Sequence, residues 1–288
     1  MTSLVPPLLL ALAGFAAVFG IVIGSFLNVV AYRVPAGISL LRESRCPSCD
    51  SPVRWWQNVP VLSWLLLRGR CAACRTRISA RYPAIEAATG LTFMAFALWW
   101  AAVTGLLGTA PASAAFSAPI AAQLLVLAAY LWFAASGLVL TVIDLDTFRL
   151  PHSITGSAFI ACLLLLTTAC ALGADWAALL RALIGAGVLY GFYLLLRLAR
   201  PDGMGGGDVR LAAVTGLMLA WIGWPTLAVG AFAAFLLGGV YGIVLIAARR
   251  AGRRTAVPFG PWIVAGSWIG VFAGETLGRA YLTLLGVL

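Results

Sequence analysis

The sequence predicts an all-α polytopic membrane protein with about eight transmembrane helices and a small zinc-binding cytoplasmic loop. Three observations lead there. Of 288 residues, 62% are hydrophobic and 10% are charged, where a soluble domain carries about 25% charged residues. The mean hydropathy is +1.02. The apolar residues also fall into runs near the 20 or so needed to cross the hydrocarbon core as a helix.

Eight runs qualify, at roughly 8–31, 84–107, 120–143, 153–173, 176–198, 209–224, 226–248 and 260–285. The first lacks a basic leading segment and is too long for the core of a signal peptide, so it is read as a span. Every basic side chain other than His152 is arginine. Nine arginines (33, 42, 45, 54, 68, 70, 75, 77 and 81) lie between the first two runs, and the stretch 108–119 has none. Arg149 marks the next turn and Asp175 the one after it; Arg197, Arg200 and Arg210 flank the stretch 201–209, and the 221–225 turn is uncharged. Arg249, Arg250, Arg253 and Arg254 make the last basic loop. Basic and non-basic loops alternate, so the positive-inside rule puts both termini outside. It puts the loops at 32–83, 144–152, 199–208 and 249–259 in the cytoplasm. The net charge of +10 is better explained by anionic inner-leaflet lipid than by nucleic acid, and no nucleic-acid partner is expected.

The first cytoplasmic loop contains "CPSC" (Cys46, Cys49) and "CAAC" (Cys71, Cys74), with 21 residues between the pairs. Two such pairs match a four-thiolate zinc site, one residue beyond the usual gap. About 50 residues bury too little apolar surface to fold unaided, and a metal would staple them. Disulfides or redox thiols are the competing reading, disfavoured in the cytoplasm. Four thiolates saturate the ion, so the site is expected to be structural. Cys162 and Cys170 lie in an apolar run and read as small core residues.

Ionisable groups at the edges of spans are costly and point to function. Asp144 closes the run "LVLTVID", and Asp208 opens "VRLAAVTGLMLA" after three glycines, both at the same predicted membrane face. Two carboxylates meeting inside a bundle cannot both ionise and share a proton, the arrangement of aspartic proteases. Asp146 is about 200° around a helix from Asp144 and cannot face the same partner. Asp175 and Glu275 fall at the outer side and read as solvated helix ends. The glycines before Asp208, Gly205 and Gly207 among them, offer room for an extended substrate backbone. The competing reading is a plain turn with Asp208 as a helix cap.

The motifs "GSFLNVVAYRVP" (24–35), "CPSC…CAAC", "NVPVLSWLLLRGRC" (58–71), "ISARYPAIE" (78–86), "DLDTFRLP" (144–151), "GMGGGD" (203–208) and "PFGP" (258–261) occur in this order. Together they resemble the prepilin peptidases, GxGD-type intramembrane aspartic proteases of type IV pili and type II secretion. The resemblance covers residues from about 20 to about 265. It implies cleavage of prepilin and pseudopilin leaders on the cytoplasmic side of the bacterial inner membrane. It also implies methylation of the new N-terminus with S-adenosylmethionine.

By position it assigns the catalytic roles to Asp144 and Asp208, and the metal loop to the four cysteines. It divides the chain into a first transmembrane helix (1–31), a cytoplasmic loop with the zinc module (32–83) and a helical membrane domain carrying the protease site (84–288). The loop favours both activities over a peptidase-only member. His152 departs from the usual Asp or Asn; it either hydrogen-bonds substrate or caps the next helix. "PD" at 201–202 is a second departure. Asn28, Arg81 and Glu86 fall in shared motifs and are candidates for substrate or cofactor binding. Glu86 could hold an amine or cofactor cation, or could pair with Arg81. The rival from another class is a proton-coupled transporter, which would place its acids nearer the bilayer midplane. An inactive assembly factor is a third reading, disfavoured by the intact acids.

Overall fold

In a computed structural model of the chain, residues 5–105, 117–200, 203–249 and 257–286 are described. They form nine α-helices, eight of them long, and each long helix coincides with one of the eight predicted runs. Two compact units divide the chain, residues 1–101 and 102–288.

The first unit contains α1 (Val5–Arg33), the short α2 (Leu62–Leu66) and most of α3 (Arg81–Val103). A 3₁₀ turn, Trp55–Asn58, precedes α2. Without a hydrophobic drive between helices in lipid, close backbone packing does the work, and small residues permit it. Gly20 and Gly24 of α1 do this here. A Cβ on Gly24 would lie 2.7 Å from the Cα of Glu86 on α3. One turn further, Asn28 donates to the Tyr82 carbonyl at 3.1 Å and ties the roots of the intervening loop together.

The second unit contains α4 (Ile120–Thr147), α5 (His152–Ala171), α6 (Trp176–Ala199), α7 (Gly206–Ile222), α8 (Trp224–Ala247) and α9 (Gly260–Leu284). α7 touches every other helix of this unit and is buried around most of its circumference. It is therefore apolar all round, as a central helix must be. Its free carbonyls at the C-terminus would be stranded there. Arg181 of α6 answers them, donating to the carbonyls of Ala220, Trp221 and Ile222. α9 presents glycines at every fourth position from Gly266 to Gly278 and packs these against α8.

Six helices (α1, α3, α4, α5, α6 and α8) are long and apolar enough to cross a membrane. α7 has 17 residues, about 25 Å at 1.5 Å per residue, just under the ~30 Å core. α9 carries an Arg279–Glu275 ion pair. Asp175, expected at a helix end, caps α6 by accepting from the Ala177 N–H at 2.8 Å.

Candidate active site

Asp144 sits in the last turn of α4 and Asp208 in the first turn of α7. Helix α4 stops because Phe148 takes a left-handed conformation (φ 54°, ψ 31°), its N–H returning to the Asp144 carbonyl. The chain then enters Leu150 and Pro151, and α5 begins at His152. Asp144 is 4% exposed and Asp208 8%; Asp146, two residues on, is exposed. Burial of a carboxylate demands hydrogen-bond partners, and each acid has a backbone amide on its Oδ2. Asp144 accepts from Gly260 N–H at 2.9 Å, and Asp208 from Gly205 N–H at 3.0 Å.

Three chain segments therefore converge. Gly260 opens α9 within "PFGP", so the start of α9 holds an acid of α4 across 116 residues. Leu150 fills the space between the N-termini of α7 and α9. A Cβ on Gly207 would come within 2.5 Å of the Leu150 Cβ, and one on Gly260 within 3.3 Å of its Cδ2. Close approach requires glycine at both positions. Gly206 lies against the guanidinium of Arg197. The triple glycine is thus packed on two sides, a tighter role than the loose linker its composition suggests. The two acids are linked geometrically through Leu150, which packs against Gly207 one residue before Asp208 and against Gly260, whose amide holds Asp144.

An aromatic wall adjoins the acids, and sequence reading passed over most of it. Buried Tyr193 of α6 lies within electrostatic reach of Asp208. Its ring is 5.3 Å from Phe235 and 6.3 Å from Phe259. Phe259 belongs to "PFGP", but Tyr193 sits in an apolar run with no local signal. Exposed His152 is the first residue of α5, one turn from Gly156, and the N-cap position is Pro151. Asp202 lies outside the described residues.

In the first unit, the four cysteine sulfurs lie within 4.8 Å of one another, with Cys46 and Cys74 3.8 Å apart. Zn–S bonds of 2.3 Å at tetrahedral angles set sulfurs about 3.8 Å apart, so the cluster fits zinc. The two halves repeat each other. Arg45–Pro52 and Arg70–Arg77 close as bridges, and Asp50 and Arg75 each turn left-handed directly after the second cysteine. Ser51 and Thr76 each place a hydroxyl 3.2 Å from that cysteine's sulfur. The hydroxyl and backbone of Thr76 bring the Cys74 thiol down to about 6, and backbone N–H groups of Cys74 and Ala73 lower that of Cys71. Such thiols are ready to bind metal as thiolates.

Buried Glu86 accepts the N–H of Val61 at 2.7 Å and so anchors the loop just ahead of α2. Arg33, buried at the end of α1, gathers the carbonyls of Ser39, Leu40, Arg42 and Glu43. It is a loop organiser that counting charges for topology did not reveal. Arg81 begins α3.

A many-helix bundle with a buried carboxylate at the end of each of two separate helices is compatible with a membrane-embedded aspartic peptidase. The chain belongs to the type IV leader peptidase family: that family's description matches residues 131–243, which include both acids. The bacterial peptidase A24 N-terminal domain matches residues 18–100, which include all four cysteines. A relative from Stutzerimonas stutzeri is 33% identical over 93% of this chain and 92% of its own length. One from Aeromonas hydrophila is 35% identical, and one from Neisseria gonorrhoeae 36%, each over 92% of both chains. All three are named prepilin leader peptidase/N-methyltransferase. No solved structure matches the chain.

Proposed function

We propose that the protein cleaves the leader from type IV prepilins and pseudopilins at the cytoplasmic face of the bacterial inner membrane, and then N-methylates the new terminus from S-adenosylmethionine. The observation that carries the peptidase half is that Asp144 and Asp208 are both buried, each held by a backbone amide, at helix ends that meet around Leu150. One carboxylate takes a proton from water, which attacks the scissile carbonyl. The protonated partner donates to that carbonyl oxygen, and the tetrahedral species collapses as the leaving amine takes a proton. No covalent enzyme intermediate forms. The amides of Gly205 and Gly260 hold the acids in place throughout. Gly207 is packed against Leu150, so the room for an extended substrate backbone falls to Gly205, where a Cβ would meet only the Asp208 carboxylate and the Gly207 amide.

The cytoplasmic orientation is supported by Arg149, Arg197 and Arg200, at the same helix ends as the acids. Both termini then lie outside. In domain terms, 1–31 is the first span, 32–83 the zinc loop and 84–288 the membrane domain. Zinc held by Cys46, Cys49, Cys71 and Cys74 supplies a structural clamp, with all four positions filled by protein. Methyl transfer is supported by the names of the relatives. Asn28, Arg81 and Glu86 stand where the loop is rooted, and the hydrogen bonds of Asn28 and Glu86 shape that root.

The test is to incubate the purified protein with a prepilin, with and without S-adenosylmethionine and without any ion gradient. Mass spectrometry should show loss of the leader, then gain of a methyl group only when the donor is present. An uncleaved prepilin would refute the peptidase assignment, and cleavage without methyl gain would leave a peptidase-only member.

A further inference from the structure

The loop between α1 and α3 has seven arginines against two acids over residues 34–80. Both acids are taken by one arginine: Arg45 pairs with Glu43 at 3.3 Å and with Asp50 at 3.1 Å. The other arginines therefore keep their charge uncompensated by carboxylates of the loop. Three of them, Arg68, Arg70 and Arg77, line a cavity of about 600 Å³ with Trp64 and the segment Ile78–Ala80. This cavity is an open groove, and contacts of Trp64 fix one of its walls. The Trp64 indole donates to the Ile78 carbonyl at 3.1 Å, and its ring underlies Gly69, which has positive φ and leaves no room for a Cβ.

Its height relative to the bilayer follows from α3. Twenty-three residues span about 34 Å at 1.5 Å per residue, slightly more than the ~30 Å hydrocarbon core. Arg81, the first residue of α3, thus falls in the headgroup layer, and Ser79 and Ala80 of the cavity wall directly precede it. The neighbouring α2 exposes Leu62, Leu65 and Leu66, the last 83% exposed, and Trp55 is 84% exposed. Exposed leucine and tryptophan beside arginine is the composition of an interfacial segment.

We propose that this cavity binds the phosphodiester headgroup of an anionic phospholipid of the inner leaflet, while the leucines of α2 enter the acyl layer beside it. The site docks the zinc module onto the membrane and limits its motion. It rests on the reading that α1 and α3 span the bilayer, and makes no use of the carboxylate pair.

The experiment uses the full-length zinc-loaded protein in neutral detergent, titrated with fluorescent phosphatidylglycerol and, separately, phosphatidylcholine. The R68Q/R70Q/R77Q variant should bind phosphatidylglycerol about a hundredfold more weakly, since each arginine near an anionic lipid contributes roughly a fivefold factor. A charge-matched R42Q/R54Q/R75Q variant should lose little. Zinc content, measured in both variants, should stay at the parent value and so show the module folded. Equal losses in the two variants would reduce the effect to diffuse basic attraction and overturn the site. So would equal binding of the two lipids. Displacement by inorganic phosphate at matching concentration would identify a soluble phosphate ligand and overturn the lipid assignment. Release of the parent protein from membranes by alkaline carbonate would instead refute the membrane-spanning reading beneath it.

Discussion

At the residue scale, the site depends on two carboxylates that are buried where Asp146 is exposed. Asp144→Asn or Asp208→Asn should lower prepilin cleavage by at least roughly 10²–10⁴-fold, the range for loss of a general acid or base. Asp146→Asn, altering an exposed position, should retain most of the rate, as read by leader release in membranes. Retained activity in both of the first two variants would sink the pairing. Gly207 offers a separate test of packing. Its α-hydrogen faces Leu150, so Gly207→Ala should cost about 1–3 kcal/mol through overpacking. Leu150→Ala keeps the Cβ that is met at 2.5 Å and should not rescue the variant, whereas Leu150→Gly removes it and should recover part of that loss in thermal unfolding.

Elements bring their own expectations. α7 is short and central, and its C-terminus relies on the guanidinium of Arg181. Hydrogen bonds to charged groups contribute about 1.5–3 kcal/mol. Arg181→Ala should therefore lower the melting temperature in detergent while leaving cleavage intact in the fraction still folded. The zinc knuckles behave differently, since their fold is linked to metal and to protons. Cys74, at about 6 against its ordinary 9.0, is a thiolate at neutral pH. A depressed pKa makes the thiolate's contribution fully present above the ordinary value and lost as pH falls through about 6. That value belongs to the metal-free thiol, and bound zinc holds the thiolate further down, so zinc release followed with a chromogenic chelator should rise only as pH falls below about 6. Cys46→Ser or Cys74→Ser should release metal even at pH 7.

At the scale of the whole molecule, topology is the testable quantity. Alkaline phosphatase reporters should be active when fused in the 108–119 and 221–225 turns and silent within 32–83 or 144–152, as arginine placement dictates. Reversed activities would put the carboxylates on the wrong side for a cytoplasmic substrate. The eight-run count and the helical architecture follow from hydropathy because lipid leaves a backbone no alternative to the helix or closed barrel. Six helices satisfy the length and hydropathy of a span outright. α7 and α9 read less clearly because one has only 17 residues and the other dilutes its apolar residues with glycines and the Glu275–Arg279 pair.

By itself, the sequence determined what local chemistry can encode. Paired cysteines at chelating spacing announce a metal loop, and apolar length announces helices. An acid at the edge of a span is conspicuous because of its desolvation cost. Tertiary structure decided which groups meet. Only folding carries the Gly260 amide to Asp144, sets Leu150 between two helix starts and gathers Tyr193 with Phe235 and Phe259. It also recast the three glycines from open hinge to close-packed floor. These are contacts between residues tens of positions apart, made by the packing of helices, and no periodicity along the chain records them.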